Sequence, residues 1–595
     1  MANVTFITFY NDYSIGVSVL SSILTSAGHN VTVIYFKLPS RGQKDWFDEN
    51  TMCIETVDAH GDIIGCNSDV NPWTNLEIQL LKEQLTASQL DTVLISSRTP
   101  DKNLVLEIIP HIREVFDGLI ICGGFGPSLE PGPYAEIADY VFVGEAENAI
   151  EEMVDCIERG KDLRNLNNLC YRENGSIVLN SLATPDIKQF RVQQSPAAVY
   201  YIDHGKLYTY EERGEVVSTH TYSTFFGRGC LNACTYCSAG QWFKVYDNQG
   251  IHVPQRRNRP LDHLKEELEA VARTSCTFIL FRDEFLTCKT STLIEFFKWY
   301  EHHISIPFWL YLYPRQVLEH PELLKAAADA GFVDTEVGFQ SGSDRINKDI
   351  FKRRMPLSET IAYTRMLADY NINMKYDFII FNPAESKQDV HATFDVIQQL
   401  PKERAYLLFP KLLFYPEAPI STILEQNNYE QITPDRFEEH YCRALLYSIC
   451  FHLSPEEFNL LIKDHALCSS WRLLKNRLKT IIREKKWSVP FGTHADPYSI
   501  TSHRYKRFLE KNAYKEIIVL ANDDYYQAMK PVFSNVESSY VIDESELFAS
   551  ADQPSLDFSK YFENTPPVFV CSPEKEKIKG IMNAKHPDYS GKIYI

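Results

Sequence analysis

Three cysteines, Cys230, Cys234 and Cys237, stand in a CxxxCxxC spacing within Gly227-Arg228-Gly229-Cys230-Leu231-Asn232-Ala233-Cys234-Thr235-Tyr236-Cys237. Thiolates are soft ligands, suited to iron–sulfur clusters or zinc. Both kinds of centre ordinarily take a full set of four, so three local thiolates leave one position to fill. It belongs either to a distant protein ligand or to something exchangeable. No Cys-x-x-Cys or His pair nearby completes a zinc set, because His220 and His252 stand alone. The rest of the fourteen cysteines are scattered singly. That is the usage of small buried hydrophobes in a reducing compartment rather than of a disulfide framework.

A ligand loop of this kind needs a strand to deliver it and a scaffold to close over it. Residues 221–226 read as the delivering strand. Beyond the loop, strands over 277–281, 308–313, 334–339, 376–381 and 407–415 alternate with helical patterns such as 261–272 and 321–330. This predicts a partial (β/α)6 barrel of the TIM type. Polar residues recur where those strands end: Asp283-Glu284, Gln340-Ser341 and Asn382-Pro383-Ala384-Glu385. Barrel active sites are built at such ends.

Upstream, strands over 4–9, 31–36, 92–97, 119–124 and 140–145 alternate with helices over 17–27, 104–116 and 147–158. The alternation predicts a doubly wound, Rossmann-like parallel sheet whose ligand site lies beyond the carboxyl ends of its strands. Gly16, Gly123, Gly124 and Gly126 cluster there, where backbone must approach a ligand closely. The α/β chain thus divides into residues 1–165, a linker over 166–218 with an Asn174-Gly175 hairpin turn, the barrel over 219–430, and a C-terminal region over 431–595. That last region begins helical, with a capped start at Ser454, and ends as a small α/β unit. Its basic amphipathic stretch over 471–487 suits either a surface helix or a seat for an anionic substrate, a peptide or a partner domain. The Arg256-Arg257-Asn258-Arg259 run reads as a solvated loop, with a carboxylate or phosphate contact as the alternative.

At 595 residues the chain exceeds a single core. Its 44% hydrophobic and 23% charged residues are those of a globular protein. A net charge of -19 argues against a general nucleic-acid binder. No secretory signal is visible and no apolar run approaches the ~18 residues of a membrane span, so a cytoplasmic location is expected.

The cysteine loop, with aromatic Tyr236 before its last cysteine, resembles that of the radical SAM family. The resemblance implies a [4Fe-4S] cluster on Cys230, Cys234 and Cys237. The fourth iron would bind the amino and carboxylate groups of S-adenosylmethionine, which the cluster cleaves to a 5′-deoxyadenosyl radical. It further implies cosubstrate contacts from Tyr236 and from Asp283 and Glu284, which replace a Gly-Gly-Glu motif near the methionyl amino group. Gln340 and Ser341 would meet ribose or carboxylate, and Arg353 or Arg354 the carboxylate. The turn at Asn382 resembles the family's Gly-x-Pro-x-Glu turn without its first glycine. The first domain resembles the cobalamin-binding domain family at Asn11, Tyr13 and Gly16, at Ser96 and Ser97, at Gly123 and Gly124, and at Gly144 and Glu145. Asn11-x-Tyr13-x-x-Gly16 stands where classical members carry Asp-x-His-x-x-Gly, so cobalt is not expected to be His-ligated from this loop. Read from its residues alone, this domain suits a nucleotide or no ligand as well.

Together the domains resemble cobalamin-dependent radical SAM enzymes. The implied activity is methyl transfer from methylcobalamin to an unactivated carbon or phosphorus of a natural-product, peptide or lipid intermediate. The implied partner is an external electron donor of the flavodoxin or ferredoxin type. Cyclisation, ring contraction or oxidation with the same cofactors is the alternative chemistry. A cluster-and-cobalamin sensor or scaffold is the alternative outside catalysis.

Overall fold

In the computed structural model the described residues are 1–484, except 11–13, 39, 42–50, 56–65, 69–72, 88–89, 188–195, 197, 210–211, 213–220, 275, 277, 285, 287, 416–417, 431 and 434–435. Beyond 484 they are the strand backbones 516–521, 538–542, 568–571 and 593–594. Asn11 and Tyr13 therefore lie outside the described residues. So does the end of the basic stretch, at 485–487.

The apolar runs of the N-terminal half are strands covered on both faces, and hence near-continuously hydrophobic. Asn3–Phe9 lies at the centre, parallel to Asn30–Phe36 on one side and Thr92–Ser96 on the other, with Ile7 opposite both Ile34 and Ile95. Leu119–Gly123 and Tyr140–Phe142 extend the parallel sheet past Thr92–Ser96. Ala198–Asp203 extends it past Asn30–Phe36. The helix Ile15–Ser26, capped by the Ser14 hydroxyl, and the helix Ile150–Glu158 pack on the same apolar cluster as Val4, Phe6 and Phe142. The chain reverses its direction of winding beside Asn3–Phe9, which creates a crevice at the carboxyl ends.

The segment read as a linker is instead part of this sheet. Leu169–Glu173 pairs antiparallel with Tyr140–Phe142, Ser176–Leu179 pairs with it in turn, and Lys206–Thr209 closes the opposite edge against Ala198–Asp203. Nine described strands result. Edge strands are short and half exposed, so they lack the apolar signature of the central ones. The hairpin turn does form at Asn174-Gly175, with both residues at positive φ (49° and 85°).

The barrel comprises six described parallel strands in chain order: Thr221–Thr224, Phe278–Phe281, Phe308–Trp309, Phe332–Gln340, Asn373–Phe378 and Ala405–Pro410. Its outward faces bury Phe281, Phe308 and Val337 under the helices Leu261–Val271, Thr290–His303, Pro321–Ala330 and Leu357–Asp369. The free edge of Ala405–Pro410 is taken by Thr51–Glu55, antiparallel, followed by Cys66–Ser68 and Ser40–Arg41. Three strands from the first 70 residues thus belong to the barrel's sheet.

The helix Phe437–His452 packs on the barrel and is flanked by Trp471–Glu484. The latter buries Leu474, Leu478, Ile481 and Ile482, so the apolar face of the basic stretch is a packing face. Ser454 and Glu457 form the expected capping box. The strands Ser538–Ile542, Glu516–Ala521, Val568–Cys571 and Ile593–Tyr594, in that spatial order, form a parallel sheet. Among the described residues no helix is long and apolar enough to cross a membrane.

Candidate functional site

One cavity of about 300 Å³ opens where the carboxyl ends of the first sheet face the cysteine loop. From the first domain it is lined by Gly16, Ser96, Gly123, Gly124, Gly144 and Glu145, and from the barrel by Gly227, Arg228, Gly229, Arg282 and Glu284. Its inner part is apolar, with Phe6, Leu94, Ile121, Phe142, Ile150 and Met153 between sheet and helices. Gly124 has φ +103°, and a Cβ there would stand 2.7 Å from the Ser97 carbonyl oxygen, so the turn admits only glycine. Ser97 lies behind that turn. Its hydroxyl pairs with the Tyr134 hydroxyl at 3.0 Å, it is buried, and it does not line the cavity. Its side chain thus supports the turn from behind.

The cysteine loop is held by backbone and by carboxylates. Thr235 donates its N–H to the Phe351 carbonyl and its hydroxyl to the Ile350 carbonyl, while its own carbonyl accepts from the Ile420 N–H. Asp283 is buried with its carboxylate on the N–H groups of Phe226 (2.9 Å) and Gly227 (2.8 Å). It thus fixes the start of the loop and stands outside the cavity, whereas Glu284 lines it and accepts from the Gly229 N–H at 3.3 Å. Burial pushes Asp283 up to about 7 against those two N–H bonds, and burial also raises Glu284.

Cys230, Cys234 and Cys237 are half-buried free thiols. Burial pushes Cys237 up to about 11 and raises Cys230, whose sulfur accepts the Asn232 N–H at 3.4 Å. Among the described residues no three His, Cys, Asp or Glu side chains gather around one point as a single ion requires. A cluster places each thiolate on a different iron.

The other expected cosubstrate residues bond to neighbours at the ends of the barrel strands. The Tyr236 hydroxyl accepts from Arg353 Nη1 at 3.1 Å, and Arg353 Nη2 donates to the Gly338 carbonyl at 2.8 Å. Gln340, at φ +64°, donates to Asp377 Oδ2 at 3.2 Å. The buried Ser341 hydroxyl accepts the Ser343 N–H at 3.2 Å and so serves its own turn. Glu385, from the Asn382 turn, pairs with Arg443 of the C-terminal helix at 2.9 Å.

Asp377, within the strand Asn373–Phe378, carries no local sequence signal of a role. Burial and the Glu336 charge push its carboxyl up to about 8, against the hydrogen bond from Gln340. The folded state keeps a proton that the unfolded chain releases near about pH 4. The resulting stability is full below that pH and is lost as the pH rises through 8. Asp377→Asn keeps the neutral shape, so between about pH 6 and 8.5 its melting temperature is expected to fall less than that of the wild type. Parallel melting curves would show instead that Asp377 is ionised throughout.

Glu145 and two arginines were also read differently from sequence. Arg257 and Arg259 are buried rather than solvated. Arg259 pairs with Glu267 at 2.6 Å, and Arg257 reaches Glu145 with both terminal nitrogens at 2.8 and 2.6 Å. Arg228 adds a contact at 3.0 Å and the Trp242 indole N–H one at 3.2 Å. Burial raises the Glu145 carboxyl, but the Arg228 charge and the Arg257 hydrogen bonds outweigh it and hold it at about 2.

Residues 224–397 match the model of the radical SAM superfamily. The chain is 25% identical over 414 residues to an uncharacterized methyltransferase of Pyrococcus horikoshii, covering 64% of this chain and 84% of that protein. It is 24% identical over 371 residues to bacteriochlorophyllide d C-8(2)-methyltransferase of Chlorobaculum tepidum, covering 58% and 74%. Its fold is similar to that of OxsB, a cobalamin-dependent S-adenosylmethionine radical enzyme solved with aqua-cobalamin and S-adenosylmethionine bound. The TM-score is 0.55 at 14% identity, over 90% of this chain and 84% of that one.

Proposed function

We propose, from the premise that the chain belongs to the radical SAM superfamily and is built like its cobalamin-dependent members, that it is a methyltransferase acting through S-adenosylmethionine and a corrinoid. The observation that supports this reading is a cavity shared by the glycine-edged strand ends of the first domain and the Gly227-Arg228-Gly229 start of the cysteine loop. The donor set fits both groups: three thiolates suit an iron–sulfur cluster with one open position. Gly123, Gly124 and the apolar inner wall let the apolar part of a large ligand lie against backbone. When bound, these groups supply reductive cleavage of S-adenosylmethionine and a methyl group for transfer.

The chain's own residues bind, orient and exclude water. Asp283 fixes the start of the cysteine loop, Glu284 offers a carboxylate beside it, and Tyr236 with Arg353 and Gln340 edges the barrel mouth. A charged group held in such a water-poor site interacts more strongly than it would in solvent. The acceptor is a carbon or phosphorus of a natural-product, peptide or lipid intermediate, and a low-potential flavodoxin- or ferredoxin-type protein of the cytoplasm supplies electrons.

Anaerobic reconstitution with iron, sulfide and hydroxocobalamin, followed by dithionite and S-adenosylmethionine, tests the reading. Retained corrin on gel filtration, with both 5′-deoxyadenosine and S-adenosylhomocysteine formed, is expected. Deoxyadenosine without S-adenosylhomocysteine would move the assignment to cyclisation or oxidation. Formation of neither product with any candidate acceptor would refute both enzyme readings.

A further inference from the structure

We infer that Glu145, gripped by Arg228 and Arg257, is a positioning residue that locks the cysteine loop onto the first domain and so sets the spacing between the two cofactors. The spacing part of this inference rests on the reading proposed above; the locking part does not.

The geometry is specific. Gly227–Arg228 and Arg257–Asn258 form a short antiparallel pair in which Arg228 is opposite Arg257. Both side chains leave this pair toward the turn after Tyr140–Phe142, in the other domain. Arg257 makes two hydrogen bonds to Glu145, and Arg228 divides its guanidinium between Glu145 and Glu147. The turn is held from a third side by the helix that follows the cysteine loop. There Trp242 donates to the Glu145 carboxylate, and the Tyr246 hydroxyl accepts the Glu145 N–H at 2.7 Å. Gly144 is needed for that approach, since a Cβ there would stand 2.5 Å from the Tyr246 hydroxyl. Trp242 also packs on Phe125, just past the Gly123-Gly124 turn, with ring centroids 4.6 Å apart.

Energetics make this a lock rather than an incidental contact. The Glu145 side chain is 6% exposed and that of Arg257 8%. Ion pairs on a protein surface contribute little, but removing one partner of a buried pair strands the other charge at a substantial cost. Among the described residues Glu145 is the hydrogen-bond partner of the Arg257 guanidinium. Arg228 lies two positions before Cys230, so any shift of the Glu145 turn is passed to the first thiolate through a single glycine. Glu145, Arg228, Arg257 and Trp242 all line the shared cavity, on the side where the first domain meets the start of the cysteine loop.

Glu145→Gln keeps the shape and the Trp242 contact while removing the charge, and Arg257→Lys keeps the charge while removing the fork. In the full-length protein both variants are expected to retain wild-type iron and sulfide. Hydrogen exchange of the amides over 227–238 should accelerate at least about tenfold, more in Glu145→Gln. In protein reconstituted with cobalamin and reduced, the magnetic interaction between the cluster and cob(II)alamin should weaken in Glu145→Gln and recover partly in Glu145→Asp. Unchanged exchange over 227–238 would overturn the lock. Accelerated exchange with an unchanged magnetic interaction would overturn its role in spacing. A wild-type chain that retains no cobalamin would refute the corrinoid reading and the spacing role with it, while exchange would still decide the lock.

Discussion

Gly229→Ala is expected to empty the cluster site although every thiol remains. The residue has φ +104°, a conformation that costs an L side chain roughly 1–2 kcal/mol. A Cβ there would also stand 2.1 Å from the Gln255 carbonyl oxygen, a backbone atom with no side-chain freedom to retreat. Relief requires the Gly227–Arg228 and Arg257–Asn258 pair to part, which carries Cys230 away from Cys234 and Cys237. Cluster assembly needs all three sulfurs at fixed separations, so iron per chain after anaerobic reconstitution should fall to about a tenth of wild type or less, with total thiol counts equal once both proteins are stripped of iron. Gly240→Ala is the matched control: it lies in the following helix with nothing within 4 Å of an added Cβ. There alanine is the better helix former, and iron content should be unaffected. Wild-type iron in Gly229→Ala would mean that the loop reaches its ligating form by another route.

Cys234→Ala should be more severe in chemistry and milder in structure. Cys234 is half-buried on a loop whose fixed points are Thr235 and the backbone, not the sulfur. The variant should therefore melt within a few degrees of the apo wild type, while S-adenosylmethionine cleavage drops by at least about 10³-fold because no intact cluster delivers the electron. Full iron together with full turnover would refute the assignment of this cysteine. The contrast between the two variants separates loss of a ligand from loss of the shape that presents it.

What could be read in advance follows from the range of the interactions concerned. The central strands are legible because burial on both faces leaves uninterrupted runs such as the Thr92–Ser96 strand, and the Asn174-Gly175 turn because its backbone demands those two residues. The cysteine spacing is a local pattern and was readable as one. Partners far along the chain were not. Nothing near Arg257 indicates a carboxylate 112 positions away, so a buried fork reads as a solvated basic run. Asp283 and Glu284 are adjacent and chemically alike, yet one supports backbone from behind and the other faces the cavity. That difference is set by which way the chain turns after Phe278–Phe281. Ser96 and Ser97 divide in the same way. The short strands at the sheet edges are harder to assign to a sheet, because half-exposed segments carry weak apolar alternation and their register is fixed only by the sheet they join.

The pairing of Thr51–Glu55 with Ala405–Pro410 bears on how the protein comes into being. Ile54 leaves the ribosome early, and its partner Phe409 emerges only after nearly the whole barrel has been synthesised. At about 5–20 residues per second that is a wait of tens of seconds with one edge of this strand unpaired, the other being taken locally by Cys66–Ser68. Such distant contacts raise contact order and slow the final closure. Cutting the gene between the two domains would leave Ala405–Pro410 an open parallel-sheet edge, a template for association with other copies. Among the described residues, the strand that covers this barrel edge is thus one made before the barrel's own first residue.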